Sequence, residues 1–170
     1  MVRITECCNL LLLGYEVRMS GELKIRKAEY DDIAVLVDFN FEMARETEGL
    51  ALDRALLTKG VTGIFEQAER GFYLVAESAG AVVGSLMITT EWSDWRNGDF
   101  WWVQSVYVRP ENRQQGVFRE LYRHVRETAM ATDHVCGCRL YVEKDNSTAR
   151  AAYVRYGFEE THYRLYEDCF

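Results

Sequence analysis

A β-branched run, Phe100 to Arg109, stops at Pro110, the single proline of the chain, and six residues later Gly116 opens a helical pattern. Proline cannot donate to a sheet ladder, so it ends a central strand rather than extending it. The polar turn Glu111-Asn112-Arg113-Gln114-Gln115 follows, and then Val117, Leu121 and Val125 recur at four-residue spacing, as on one buried helix face. At the start of such a helix the backbone amides are unpaired, point outward and carry partial positive charge. A strand, a tight polar turn and a helix beginning at a glycine therefore make a phosphate cradle, and Gly116 lets the backbone approach a diphosphate with no Cβ between them. No Lys-Ser or Lys-Thr follows, which argues against a P-loop, and no GxGxxG is present, which argues against a dinucleotide turn.

The rest of the chain alternates between strand and helix periods. Residues 22–28 alternate polar and apolar. Glu29 to Asp32 place acids at a helix start, and a helix follows to about Thr47 with Ile33, Leu36, Val37 and Phe41 on one stripe. Asp53 to Arg70 reads as a second helical region, interrupted around Gly60 and Gly63. Phe72 to Glu77 and Ala81 to Thr90 are strands joined across Ser78-Ala79-Gly80, and Glu91 to Asp99 reads as a polar, aromatic loop. After the helix from Gly116 to Thr132 come a strand over Cys138 to Glu143, a helix over Asn146 to Tyr156 closed by Gly157, and a last alternating segment, Phe158 to Tyr166. The order β-α-α-β-β-β-α-β-α-β mixes hairpins with a crossover, which predicts an α/β or α+β domain around a mixed sheet.

A length of 170 residues suits one domain. That domain is expected over residues 19–170, because Met19-Ser20-Gly21-Glu22 is a conventional beginning. Residues 1–18 read as an appendage outside the fold: Leu10 to Leu13 is too short for a membrane span, and no small-residue cleavage site follows. Twenty Lys and Arg against 27 Asp and Glu leave a net charge of −7, which argues against broad binding to nucleic acid or an anionic membrane. A local nest of amides still holds an anion on such a chain. Five cysteines show no metal-ligand spacing, so the expectation is free thiols in a cytoplasmic protein without a metal.

Arg113-Gln114-Gln115-Gly116-Val117-Phe118 resembles the acetyl-CoA signature of the GNAT superfamily, Gln/Arg-x-x-Gly-x-Gly/Ala, and it follows a Val-x-Pro-Glu at Val108 to Glu111. A second segment, Leu140 to Asn146 with Ala149, Tyr153, Gly157 and Phe158, is similar to that family's strand-Asn-x-x-Ala-x-x-x-Tyr-x-x-x-Gly-Phe ending. The resemblance runs over most of the chain from about residue 22, with the N-terminal half matching only in layout. It implies a mixed, mostly antiparallel central sheet of six to seven strands flanked by about four helices, with acetyl-CoA as acyl donor. By the same resemblance the amides of Arg113 through Phe118 wrap the pyrophosphate, and the backbone of Val106, Tyr107 and Val108 pairs with the pantetheine arm. Asn146 and Tyr153 then look into the gap between two splayed strands. Phe118 departs from the small residue of the pattern, and its side chain is expected to narrow or reshape the cradle.

The chemistry gives Tyr153 a task. When an amine attacks a thioester the sulfur departs as a thiolate, and a phenol with pKa ~10 donates to it. Tyr153 is therefore the general-acid candidate. Scattered His124, His134 and His162 match no triad spacing, and no cysteine stands poised beside a histidine, so direct transfer in a ternary complex is expected rather than a covalent intermediate. The acceptor side is less defined. Gln104 stands in the fourth-strand stretch where the family often carries a glutamate, and Tyr141 with Glu143 occupies the fifth-strand alternative, so no base carries over. Glu91, Trp92 and Asp94 join acids to an aromatic face suited to a cationic amine. Glu91, Trp92, Asp94, Gln104 and Glu143 are the substrate-facing candidates. The expected activity is transfer of an acetyl group from acetyl-CoA to a primary amine, on a small molecule or a protein, with a homodimer left open. The alternative is a non-catalytic acyl-CoA sensor of the same fold.

Overall fold

The half-buried alternation of the first strand leads into a single five-stranded sheet in a computed structural model that describes residues 22–170. The appendage assigned to residues 1–18 lies outside the described residues. The strands are β1 (Lys24–Lys27), β2 (Phe72–Ser78), β3 (Ala81–Ser93), β4 (Gly98–Val108) and β5 (Val135–Arg139), and they lie side by side in that order. β1 to β4 are antiparallel, while β5 is parallel to β4, because the chain returns through a helix instead of a hairpin.

The described residues form four α-helices, α1 (Ile33–Glu48), α2 (Arg54–Glu66), α3 (Val117–Ala131) and α4 (Ser147–Arg155), of which the first three cover the sheet and α4 meets the start of α3. One face, through Tyr73 and Val75, packs under α1 and α2, which contribute Leu36, Val37 and Val61. The other, with Leu74, Leu86, Ile88, Trp101 and Val103, packs under α3 through Val117, Leu121, Val125 and Ala129. Leu121 and Val125 are fully buried, each worth about 1.5–3 kcal/mol of hydrophobic stabilisation. Gly84 is what lets α3 sit so close to β3, since a Cβ there would stand 2.9 Å from Val117 Cγ1.

Five expectations change. The sheet has five strands among the described residues, not six to seven. Phe158 to Tyr166 alternates like a strand but pairs with none, and Tyr163, Leu165 and Tyr166 are exposed; alternation without a partner edge specifies no strand. Glu91 to Asp99 is not a loop. The pairs Glu91↔Phe100, Trp92↔Asp99 and Ser93↔Gly98 carry the β3–β4 ladder out to a tight turn at residues 94–97. The fifth strand covers Val135–Arg139 instead of residues 138–143, because its pairing with β4 stops at Trp102↔Arg139. α2 runs unbroken through Gly60 and Gly63, held at its start by Asp53, whose side chain accepts from the amides of Ala55 and Leu56.

Two irregularities set up the site. Within β4 the register slips between Met87↔Gln104 and Ser85↔Tyr107, a bulge at which Ser105 adopts a φ of 49°. From Val103 onward β4 has no paired strand on its β5 side among the described residues. The strands part there, leaving a gap bordered by an open backbone edge.

Candidate active site

At the far end of β4 the chain turns through Pro110–Asn112 and enters α3. Gln114 has a φ of 63° and Gly116 a φ of 84°, so left-handed residues stand near both ends of the turn. This is the backbone pattern of an anion nest. The amides of Gln114 through Arg119 meet no acceptor among the described residues, and the first helical bond is from the Glu120 amide to the Gly116 carbonyl at 3.0 Å. A Cβ at Gly116 would stand 3.1 Å from the Arg119 guanidinium, which lies over the turn. The cradle thus combines free amides, a helix start and an arginine, the features a diphosphate requires.

Arg113 is divided between two tasks. Its amide donates to Pro110 within the turn, at 3.2 Å. Its guanidinium points elsewhere, donating from Nε to the Val108 carbonyl and from Nη2 to Glu46 at 2.7 Å, while Tyr107 donates to the other Glu46 oxygen at 3.3 Å. Glu46, near the end of α1, therefore ties the end of β4 to the helix above it. Burial, with Glu46 nearby, pushes the Tyr107 phenol up. Sequence reasoning missed Glu46, whose partner Arg113 is 67 residues away and follows no local spacing.

Phe118 leaves the cradle open. Its ring turns into the seam between α3 and α4, stacked on Tyr122 at 6.1 Å and edge-on to Tyr153 and Tyr156 at 5.5 Å. Only its amide faces the turn, so the narrowing expected of its side chain does not occur. Asn146 caps α4, its Oδ1 accepting from the Ala149 amide at 3.0 Å. Tyr153 lies on the same helix between Phe118 and Phe158. Its hydroxyl has no partner among the described residues and is not sealed from solvent, and burial of the ring raises its pKa above the usual 10.

Beyond the gap, the face of β4 that carries Phe100, Trp102 and Gln104 forms a polar floor. Gln104 donates to Thr89 Oγ1 and accepts from Tyr141 at 3.2 Å, so its amide is fixed from both sides. One Glu91 oxygen accepts from Trp102 Nε1, and the other accepts from Arg139 at 2.7 Å. The ring of Trp102 lies 5.9 Å from that of Tyr141. The structure thus brings Glu91, Gln104, Trp102 and Tyr141 together. It does not bring Trp92 or Asp94 into this network: Trp92 is 58% exposed, and Asp94 accepts from the Trp95 amide in the hairpin turn. Glu143 accepts from the Asp145 amide and shapes the turn into α4. A separate cavity of about 260 Å³ under the second half of α3, lined by Phe72, Trp101 and His124, lies away from the cradle.

The Acetyltransferase (GNAT) family profile matches residues 31–158. Among solved structures, a possible acetyltransferase from Clostridium difficile 630 is 41% identical, with a TM-score of 0.82 over 87% of this chain and 97% of its own. A predicted acetyltransferase from Clostridium acetobutylicum, solved with acetyl-CoA, is 19% identical with a TM-score of 0.71, covering 86% and 96%. A transcriptional regulator from Bacillus halodurans C-125 shares the fold at 19% identity and a TM-score of 0.73, covering 87% and 100%. No curated relative matches the sequence. Two motifs laid on one strand-parting, a profile spanning most of the chain and a neighbour sharing two residues in five agree: the chain belongs to the GNAT family of acetyltransferases.

Proposed function

We propose that this chain is an N-acetyltransferase that moves the acetyl group of acetyl-CoA to a primary amine by direct attack in a ternary complex. The observation that carries this reading is the nest at residues 114–118, whose amides meet no acceptor among the described residues, standing where the outer edge of β4 lies open. In this reading the amides from Gln114 to Phe118 hold the diphosphate, with Arg119 adding charge, while the Arg113 amide, expected among them, closes the turn on Pro110. The backbone of Val106, Tyr107 and Val108 lines the pantetheine arm, and Asn146 fixes the helix that closes the other side. Tyr153 donates to the departing sulfur. A phenol raised above pKa 10 is a weaker acid than an ordinary thiol, near 8.5, so Tyr153 serves as a hydrogen-bond donor that stays protonated. Gln104, Thr89 and Tyr141 form the floor on which the amine lies.

The test is direct. Acetyl-CoA at 100 times its Kd should raise stability by ~2.7 kcal/mol in the wild type. Gly116→Glu should lose that shift, with Gly116→Ala as the control for backbone strain at a positive φ. Release of free thiol with a panel of amines then reads catalysis, and equal coenzyme affinity in Gly116→Glu would remove the cradle from the reading. One observation favours the sensor alternative: the Glu91 carboxylate is already engaged by Arg139 and Trp102 instead of standing free as a base. Tight coenzyme binding with no amine-dependent thiol release would decide for it.

A further inference from the structure

Resting on the acceptor floor just described, we propose that the amine accepted here also carries a carboxylate, and that Arg139 with Arg96 recognises it. Phe100, buried on that floor, has two guanidinium groups against its ring, Arg139 at 3.6 Å and Arg96 at 5.3 Å from the centroid. Arg139 is also within 6.0 Å of Trp102. Guanidinium planes resting on aromatic faces lose little freedom on binding, and their forked donors match a carboxylate.

Glu91 is the one acid paired with Arg139, through Nη1 alone, so Nε and Nη2 meet no acceptor among the described residues. Arg96 has no acid partner among them either, and it lies exposed on the hairpin turn. One carboxylate is therefore bonded to this pair of guanidinium groups, which leaves most of their N–H donors open. An anionic group would find open donors here.

Position adds the second argument. Arg139 is the last β5 residue paired with β4, opposite Trp102, and the strands part immediately after it. Tyr141, which reaches Gln104 across the gap, is two residues further on, about 7 Å along an extended chain. An amine at the gap and a carboxylate at Arg139 are therefore separated by a short linear spacer, as in an ω-amino acid. Covering Phe100 alone would need neither the fork of Arg139 nor a second arginine.

The probes are δ-aminovalerate, its carboxamide, and an aminoalkyl phosphate of similar length, assayed by thiol release from acetyl-CoA with the full chain. The acid should exceed its carboxamide by about tenfold in kcat/KM, the scale of one charge-assisted hydrogen bond. Arg139→Met should bring that ratio near one by raising KM for the acid, Arg96→Met should lower it in part, and Glu91→Gln should raise it by releasing Arg139. Equal kcat/KM for acid and carboxamide, a ratio that survives Arg139→Met, or a preference for the phosphate would overturn the inference. If Arg139→Met does not fold, the exposed Arg96 and the Glu91 variant decide. Should acetyl-CoA bind but no amine react, catalysis fails separately. Thermal shifts with δ-aminovalerate against its carboxamide then read the arginine pair alone: an acid-specific shift lost in Arg96→Met upholds it, and no acid-specific shift refutes it.

Discussion

Phe118 and Tyr153 meet edge to face, their ring centroids 5.5 Å apart. Phe118 is the second residue of α3, whose start forms the nest, and Tyr153 stands on α4, so the pair joins the proposed coenzyme cradle to the proposed hydrogen-bond donor for the departing sulfur. Tyr122, Tyr156 and Phe158 complete the stack, and burial holds the Tyr122 phenol up at about 12. The large residue that departs from the family pattern thus acts as a spacer between two helices. Edge-to-face pairs are worth about 0.5–1.5 kcal/mol beyond their burial, enough to fix a ring in place.

Phe118→Ala should therefore separate binding from turnover. Its amide remains in the nest, so acetyl-CoA affinity should change by less than about threefold, while a loosened Tyr153 lowers kcat by about tenfold. The lost packing should cost about 2 kcal/mol of stability, less than the 3–5 typical of a fully buried Phe. Calorimetric titration, steady-state rates and a urea midpoint measure the three quantities. A tenfold loss of coenzyme affinity would place the ring in the cradle itself.

Tyr153→Phe keeps the ring stack and removes only the hydroxyl, so kcat should fall by about tenfold to a hundredfold with acetyl-CoA binding intact. The wild-type pH profile carries a signature of its own. A free alkylamine is mostly protonated below its pKa of about 10.4, so the rate should climb with pH as neutral amine accumulates. Because burial raises the Tyr153 pKa above 10, its proton is retained throughout that climb and no basic limb should appear below pH 10. A rate that falls between pH 8 and 9 would show a different group in control.

Local segments of the chain spoke for themselves, and long-range ones did not. The turn from Pro110 to Gly116 and the Asn146-capped helix α4 were legible because proline, glycine and cap residues act within a few positions. Glu46 reaching Arg113, and Glu91 reaching Arg139, join elements whose spacing is set by the sheet. The proposed acceptor floor is made of such pairs. Glu91 to Asp99 read as a loop because its acids and tryptophans mask strand alternation, although backbone pairing to residue 98 decided otherwise. Phe158 to Tyr166 erred in the opposite direction, with a strand's pattern and no partner edge.

Ser85 offers a stability prediction free of the site. It is fully buried beneath α1, paired in register with Tyr107, and its Oγ has no hydrogen-bond partner. An unsatisfied buried hydroxyl costs about 1–3 kcal/mol, whereas its removal leaves only a small void. Ser85→Ala should therefore raise stability by about 1 kcal/mol in urea titration. A loss of that size would mean that a water occupies the position and satisfies the hydroxyl.

Asp32 supplies the acid-sensitive part of the fold. Its side chain, 8% exposed, accepts from Arg26 at 2.6 and 3.0 Å and from the Glu29 amide at 2.8 Å, and Arg26 in turn reaches Glu77 on β2. The Arg26 hydrogen bonds hold the Asp32 carboxyl below the ordinary carboxylate range. A folded pKa below the unfolded value of about 3.9 means that this stabilisation is complete above that pH and is lost as pH falls through the folded pKa. Asp32→Asn should thus be less stable than wild type by about 2 kcal/mol at pH 7, somewhat under the 3–5 for breaking a fully buried pair, because Arg26 is partly exposed. The gap should hold steady down to about pH 5 and close below pH 4, where the wild type protonates and the variant has nothing further to lose. Urea midpoints for both proteins across that range test it, and a gap that stays constant to pH 3 would show that the carboxylate charge contributes nothing to the network.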